Sequence, residues 1–179
     1  MNVLLHALVS VLYYKVALAF VPHSGKVARI CSFLFVVHPV HTEAVTGVVG
    51  RAELLSSVFF LLTVLTYKNA AFKGQWSHLA FSMAFVGFAM LCKEQGITVL
   101  GILVCYEIFM IQRIDLKYFS SWIKSNNNDT TTKRPFWSCF IRLFTVIFTG
   151  IFLLISRFFI MGHTLPGKDY FIGYLIHIT

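Results

Sequence analysis

The residues of this chain best suited to chemistry are concentrated between His38 and Glu53, in the sequence HPVHTEAVTGVVGRAE. Two imidazoles, two carboxylates and one guanidinium occur there between apolar stretches. Ionisable groups beside a hydrocarbon region are costly and usually face a polar cavity. An arginine in such a cavity can bind an anion through two parallel hydrogen bonds, and the acids and imidazoles can accept or donate protons. We therefore predict a polar site that includes His38, His41, Glu43, Arg51 and Glu53.

Two simpler interpretations of this segment stay open. It could be a loop at the level of the lipid headgroups, where its His and Arg side chains merely meet lipid phosphates. His38, His41 and Glu43 could also bind zinc or manganese, because imidazole and carboxylate suit both ions. Their spacing fits no strong zinc signature, so we predict no metal site.

A second charged cluster is the adjacent pair Lys93 and Glu94, at a tight turn between two apolar stretches. A lysine there can bind phosphate as a point charge, although a Lys-Glu pair is also ordinary at a turn on a membrane surface. Arg157, near the end of the last apolar stretch, can bind an anion or anchor its helix at the interface, and we favour the anchor. These three residues complete the candidate site.

The elements that must position these residues are predicted to be membrane-spanning helices. Hydrophobic residues make up 58% of the chain and charged residues only 12%, about half of what a soluble domain needs. Fifteen Lys and Arg against seven acids do not indicate nucleic-acid binding, because they are spread over separate short loops. We predict an all-α, polytopic bundle of about six hydrophobic helices, from the apolar stretches Asn2–Val21, Val27–Val37, Leu54–Tyr67, Leu79–Cys92, Gly96–Gln112 and Ser138–Ile160.

Three of these stretches are shorter than the roughly 17 residues that a spanning helix needs. We expect Val40 and Ala44–Val49 to lengthen the second and third stretches, and the fourth stretch to continue back to Trp76. Two short spans joined by a partly embedded turn would result. A re-entrant pair is the alternative, since non-helical backbone is tolerated where it lines a polar cavity.

The basic residues of the loops predict the side of the membrane that each loop faces. If all six stretches cross, nine Lys and Arg lie on one side and four on the other. The positive-inside rule places the richer side in the cytoplasm, and both charged clusters on the opposite side. The nine are Lys26, Arg29, Lys68, Lys73, Arg113, Lys117, Lys124, Lys133 and Arg134; the four are Arg51, Lys93, Arg157 and Lys168.

The longest loop, residues 113–137, is predicted to be a flexible cytoplasmic linker, because its run SNNNDTTT is too polar to fold alone. Asn128 in this run matches the N-glycosylation pattern but should stay unmodified on that side. Lys15, inside the first stretch, is expected to extend its amine to the interface. Glu107, inside the fifth stretch, has no partner that the sequence can assign.

Four motifs carry a resemblance to a known family: NVLLHAL at the start, HPVHTEAV, GRAELL and KEQGITVLG. Over about residues 1–162 the chain is similar to the transmembrane and tetratricopeptide-repeat containing protein O-mannosyltransferases, the TMTC family. The resemblance implies a GT-C-like enzyme of the endoplasmic-reticulum membrane with a luminal active site. Such an enzyme transfers mannose from dolichyl phosphate mannose to Ser or Thr of acceptor proteins such as cadherins.

The resemblance also implies roles for the candidate residues. The reaction needs an acid to deprotonate the acceptor hydroxyl and cations to stabilise the departing lipid phosphate. Beyond the lipid-linked donor, no cofactor is expected. Arg51, Lys93 and Arg157 would bind the donor phosphate, Glu43, Glu53 and Glu94 would orient these cations or contact the sugar as catalytic acids, and His38 and His41 would line the site.

The chain departs from the family at both ends. Family members begin with an additional span and a luminal loop that carries an acidic pair, and they end in a luminal array of tetratricopeptide repeats. We expect residues 1–162 to be a partial membrane bundle and 163–179 a divergent luminal tail. A non-catalytic scaffold or truncated isoform is one alternative to the enzyme. A transporter or channel subunit is another, although no internal repeat supports it.

Overall fold

The computed structural model describes residues 1–21, 24–47, 49–111 and 136–162, with side chains from 138 to 160 in the last range. Asn128, the predicted tail and nearly all of the predicted 113–137 linker lie outside these residues. The described part is helical and contains no strand, which confirms the predicted all-α bundle. Its elements are α1 (Asn2–Phe20), α2 (Gly25–Val37), α3 (His41–Thr46), α4 (Gly50–Lys73), α5 (Trp76–Cys92), a 3₁₀ turn (Glu94–Thr98), α6 (Val99–Cys105), a π-helical turn (Tyr106–Ile111) and α7 (Phe136–Gly162).

Four of these segments are long and apolar enough to cross a membrane: α1, α4, the continuous helix Glu94–Ile111, and Ser138–Ile160 of α7. The apolar helix α5 begins at Trp76, as predicted, and has 17 residues, the usual lower end for a span. On α7, Phe144, Phe148 and Phe152 each expose 61% of their surface. An aromatic row this open needs lipid rather than water around it. The chain is therefore a helical membrane protein.

The second and third apolar stretches differ from our expectation. α2 ends at Val37 after 13 residues, about 20 Å, because His38 takes an extended conformation before Pro39. Val40 and Ala44–Val49 therefore do not lengthen it; Ala44, Val45 and Thr46 belong to the separate helix α3. The third stretch gains its length at its other end instead, where α4 continues to Lys73 and ends at Gly74, whose φ of 66° is left-handed. The last two residues of the predicted 113–137 linker belong to a helix, because α7 begins at Phe136.

α4 is the centre of the bundle. It packs against α1, α3, α5 and α6, while α7 packs against α5 and α6. Buried aliphatic side chains from all of the long helices meet around it, including Val9 and Leu12 of α1, Val58 and Val64 of α4, Val86 of α5, Leu103 of α6 and Val146 of α7.

A polar cluster is buried inside this apolar core. Glu107, in the π-helical turn, is 0% exposed, and its Oε1 accepts from Nη2 of Arg142 on α7 at 2.5 Å. Its Oε2 accepts from Nε of Arg142 at 3.3 Å and from the hydroxyl of Tyr67 on α4 at 2.9 Å. Both carboxylate oxygens are thus satisfied, which a buried charge requires. Glu107, which the sequence left without a partner, joins three helices.

A second ion pair joins the same two membrane segments at their other end. Arg157 of α7 donates to Oε1 of Glu94, at the start of the Glu94–Ile111 helix. The two pairs are about 20 Å apart along either helix. Glu94 and Arg142 lie in the first half of their helices, and Glu107 and Arg157 lie in the second half. Each ion pair therefore joins the first half of one helix to the second half of the other. The two pairs thus fix the helices in an antiparallel arrangement and set their register.

The turn after α5 depends on a glycine, which gives a first prediction. A Cβ on buried Gly96 would lie 2.4 Å from the backbone carbon of Ala89, whereas a Cβ on Gly87 would meet nothing within 4 Å. Gly96→Ala should therefore push the turn away from α5 and destabilise the protein by about 1–3 kcal/mol. Gly87→Ala, the matched control, should be neutral or slightly stabilising. Thermal unfolding in detergent measures both, and equal midpoints would contradict the packing described for Gly96.

The buried ion pair gives a second prediction. Arg142→Met leaves the Glu107 carboxylate without its cation and should cost about 3–5 kcal/mol of stability. Adding Glu107→Gln should recover part of the loss, because a neutral amide can still accept from Tyr67. Arg29→Met, at an exposed arginine of α2, is the control and should change little. A double variant no more stable than Arg142→Met alone would show that the charge on Glu107 is not what makes the arginine necessary.

Candidate functional site

The predicted site residues lie together at one end of the bundle, which we call the charged end. It contains the beginnings of α1 and α4, the end of α2, α3, the turn after α5 and the end of α7. Asn2 ties several of these segments together. Its Nδ2 donates to the carbonyls of Val45 and Gly47 at 3.0 and 2.9 Å, and its Oδ1 accepts from Nε of Arg51 at 3.2 Å. The start of α1 therefore positions the α3–α4 connection.

Lys93 and Glu53 form the central ion pair of this end. The ammonium of Lys93, at the end of α5, donates to Oε1 of Glu53 in the first turn of α4. Their side chains remain 34% and 44% exposed, so the pair is open to a ligand. The pairing crosses from one span to the next and joins the two predicted clusters.

A cleft of about 430 Å³ opens beside this ion pair. Among the residues that the structure describes, its lining contains one cation, Lys93, and one carboxylate, Glu53. Hydroxyl and amide groups of the lining come from Ser56, Ser57, Gln95 and Thr98. The remaining wall is formed by apolar and aromatic side chains, including Val9, Tyr13, Phe35, Phe60 and Leu61. The cleft thus combines a charged edge with a hydrocarbon wall.

The other predicted cations and acids lie around this cleft rather than in it. Within the described ranges, its lining includes neither Arg51, which Asn2 holds, nor Arg157, which pairs with Glu94. Glu43 is exposed on α3. The structure therefore brings Lys93 and Glu53 together at the cleft and places Arg51, Arg157, Glu43 and Glu94 elsewhere at the charged end.

Three histidines, His6, His38 and His41, form a cluster next to the cleft. The ring of His41 lies 5.2 Å from that of His6, 6.1 Å from that of His38 and 4.4 Å from that of Phe35, measured between centroids. Phe35 also stacks on Tyr13 at 4.2 Å, so the cluster lies directly behind an aromatic wall of the cleft. Burial lowers the pKa of His41, and the nearby His6 and His38 lower it further. His41 therefore stays neutral to lower pH than an isolated imidazole.

Sequence reasoning missed His6. Its role at the charged end becomes visible only when α1 packs beside α3, because it lies far from His41 in the chain. Its Nδ1 is buried without a hydrogen-bond partner, and its Nε2 lies 3.4 Å from the carbonyl of Val36. In the described ranges, no three His, Cys, Asp or Glu side chains converge closely enough to hold a metal ion. His38 and His41 remain near the cleft as neighbours of its wall.

The sequence of this chain is similar to those of protein O-mannosyl-transferases. No family model matches the chain, and no solved structure matches it. The human protein O-mannosyl-transferase TMTC3 is 51% identical over 117 residues, which is 63% of this chain and 12% of the relative. The mouse protein O-mannosyl-transferase TMTC2 is 35% identical over 171 residues, or 93% of this chain and 19% of the relative. The mouse protein O-mannosyl-transferase TMTC4 is 41% identical over 138 residues, or 64% and 18%.

These comparisons confirm the family resemblance carried by the sequence motifs. The chain spans less than a fifth of the length of the curated relatives it matches. In the TMTC2 comparison, 35% identity extends over 93% of this chain. Over most of its length, this chain is therefore a homologue of the TMTC protein O-mannosyl-transferases.

Proposed function

We propose that this protein takes part in protein O-mannosylation, as the names of its relatives indicate for them. In this reaction a Ser or Thr hydroxyl of the acceptor forms a bond to the anomeric carbon of mannose. The bond from that carbon to the phosphate oxygen of the donor breaks, and the lipid phosphate leaves. The hydroxyl proton passes to a carboxylate. Dolichyl phosphate mannose is the donor that we propose, and cadherin-type domains are the acceptors.

The observation that carries this proposal is the cleft with Lys93 at its edge. A lipid-linked sugar phosphate is an amphiphile whose hydrocarbon chain needs an apolar groove and whose phosphate needs a cation. The wall of Val9, Tyr13, Phe35 and Phe60 meets the first need, and the Lys93 ammonium meets the second. A cation at this position also stabilises the negative charge that develops on the departing phosphate.

The acids and cations around the cleft extend the proposal to the rest of the charged end. Glu53 is the carboxylate nearest the proposed phosphate, because it contacts Lys93 directly. Glu94 holds Arg157, and Asn2 holds Arg51, so both guanidinium groups are oriented near the cleft without lining it. We assign these arginines to a secondary role in attracting the anionic donor. Glu43, exposed on α3, remains a candidate for contact with the sugar or the acceptor.

We further propose that the charged end faces the lumen of the endoplasmic reticulum. Lys26 and Arg29, at the start of α2, and Lys73, at the end of α4, belong to the opposite end of the bundle. The positive-inside rule assigns that end to the cytoplasm. The luminal position would let secretory acceptor proteins reach the cleft.

The proposal predicts a graded loss of mannose transfer. Lys93→Met in the full-length protein should lower transfer about tenfold or more, because a charge-assisted contact to an anion is worth about 1.5–3 kcal/mol. Arg51→Ala should lower it less, since Arg51 lies outside the cleft, and Arg51→Lys should restore part of that loss. The control is Lys73→Met, at an exposed lysine of the opposite end, which should be silent.

The measurement is transfer of labelled mannose from dolichyl phosphate mannose to a purified cadherin domain, at matched amounts of membrane-inserted enzyme. Normal mannose transfer by the Lys93→Met protein would show that the donor does not bind in the cleft.

The orientation predicts a pattern of glycosylation. An acceptor sequon introduced after Gly47 should be modified in microsomes, because the α3–α4 connection would lie in the lumen. Asn128 should stay unmodified, so Asn128→Gln should not change the electrophoretic mobility. A mobility shift that endoglycosidase removes and Asn128→Gln abolishes would reverse the orientation.

A further inference from the structure

The Lys93 ammonium, which we assign to the donor phosphate, already has an anionic partner. Lys93 and Glu53 contact each other directly, and both line the cleft. A phosphate that binds Lys93 brings a second negative charge beside the Glu53 carboxylate. Two like charges held side by side near a protein surface repel each other. This repulsion favours the displacement of one of the two anions from Lys93.

The exposure of the pair indicates that it can separate. Glu53 and Lys93 keep 44% and 34% of their side-chain surface open, and ion pairs this exposed are weak. The Glu107–Arg142 pair of the same bundle is 0% and 9% exposed and cannot separate without leaving a buried charge. The buried Glu107–Arg142 pair is therefore suited to hold helices together, and the exposed Glu53–Lys93 pair is suited to exchange partners.

Both partners have fixed backbones, and the charge of the phosphate indicates which side chain is displaced, because an anion that binds the ammonium competes with the carboxylate. Lys93 is fixed on both sides, because its N–H donates to the carbonyl of Ala89 at 3.0 Å and its carbonyl accepts from the N–H of Gly96 at 2.8 Å. Gly96 in turn packs on the backbone of Ala89. Glu53 projects from the first turn of α4 into the cleft, where its side chain can change rotamer without moving the helix.

We propose that the lipid phosphate replaces Glu53 as the partner of Lys93, so that the Glu53 carboxylate is released into the cleft only when the donor is bound. The inference rests on the proposed function and adds a positioning residue to it. No covalent bond changes in this step. Lys93 keeps one anionic partner throughout, and the released carboxylate becomes available to accept hydrogen bonds from sugar hydroxyls beside the phosphate.

The exchange predicts opposite effects of the two partners on donor KM. Lys93→Met should raise the KM for dolichyl phosphate mannose about tenfold, whereas Glu53→Gln should lower it by about two- to fivefold, because the competitor for an exposed pair is gone. The same Glu53→Gln variant should lower kcat, since a neutral amide oxygen is a weaker hydrogen-bond acceptor than a carboxylate. In the Lys93→Met background, Glu53→Gln should no longer lower KM. A Glu53→Gln protein with a raised KM, or with the same effect in both backgrounds, would overturn the exchange.

A second measurement needs no variant and is therefore independent of folding defects. A water-soluble carbodiimide should join Glu53 and Lys93 in the wild-type protein, because their side chains touch. Dolichyl phosphate should reduce this cross-link at least severalfold, as quantified by mass spectrometry, while dolichol and inorganic phosphate should leave it unchanged. A cross-link that persists at saturating dolichyl phosphate overturns the exchange, and equal loss with inorganic phosphate overturns its assignment to a lipid phosphate.

Binding of tritiated dolichyl phosphate distinguishes a failure of the partner exchange from a failure of the proposed donor site. Lys93-dependent binding together with a persistent cross-link would reject the exchange and leave the donor site intact. Binding that does not depend on Lys93 would reject the donor site itself, and the exchange with it.

Discussion

The arrangement of this bundle depends on one buried ion pair, between Glu107 and Arg142. A carboxylate inside a membrane-embedded core must find a cation, and the bidentate arginine with the Tyr67 hydroxyl satisfies it. Lipid offers no hydrophobic force to pair helices, so packing and specific polar contacts must choose the neighbour. Here the pair selects α7 as the neighbour of the Glu94–Ile111 helix. The Glu94–Ile111 helix packs in turn against α4 and α5, and α7 packs against α5.

The register set by this pair reaches the charged end of the molecule. Because both helices are rigid rods over about 20 Å, fixing Glu107 on Arg142 also sets Arg157 opposite Glu94. Glu94 directly follows Lys93, so the same constraint holds the turn that presents Lys93 to Glu53. The packing of α7 on the Glu94–Ile111 helix therefore positions both the buried Glu107–Arg142 pair, which is closed to ligands, and the exposed Lys93–Glu53 pair, which lines the cleft.

The helices of this fold could largely be predicted from the sequence, because lipid requires long apolar runs and these are visible in one dimension. The start of α5 at Trp76 followed from such a run. The short α2 did not, since Pro39 and the extended His38 ended it before the apolar residues beyond could be used. The length of α4 was missed for the opposite reason. Lys68 and Lys73 were read as loop residues, although a helix end at the interface tolerates both.

The candidate site divides in a similar way. The clustering of the site residues at one end could be predicted, because successive loops lie on alternate sides of the membrane. This prediction needs only the number of spans. The partners of individual charges did not follow, because Glu53–Lys93, Glu94–Arg157 and Glu107–Arg142 each join residues from different spans. His6 was missed because its neighbours His41 and Phe35 come from other helices. Tertiary contacts of this kind leave no periodic signal in the sequence.

We propose that the cleft beside Lys93 holds the lipid phosphate of a mannose donor. Photo-crosslinking in native membranes tests it most directly, with a dolichyl phosphate analogue that carries a diazirine next to the phosphate. We expect the label to attach to the turn at Lys93 and to cleft residues such as Tyr13 and Phe35, and unlabelled dolichyl phosphate mannose to prevent this labelling. Labelling confined to the outward-facing phenylalanines of α7, or unaffected by unlabelled dolichyl phosphate mannose, would show that the cleft does not hold the donor.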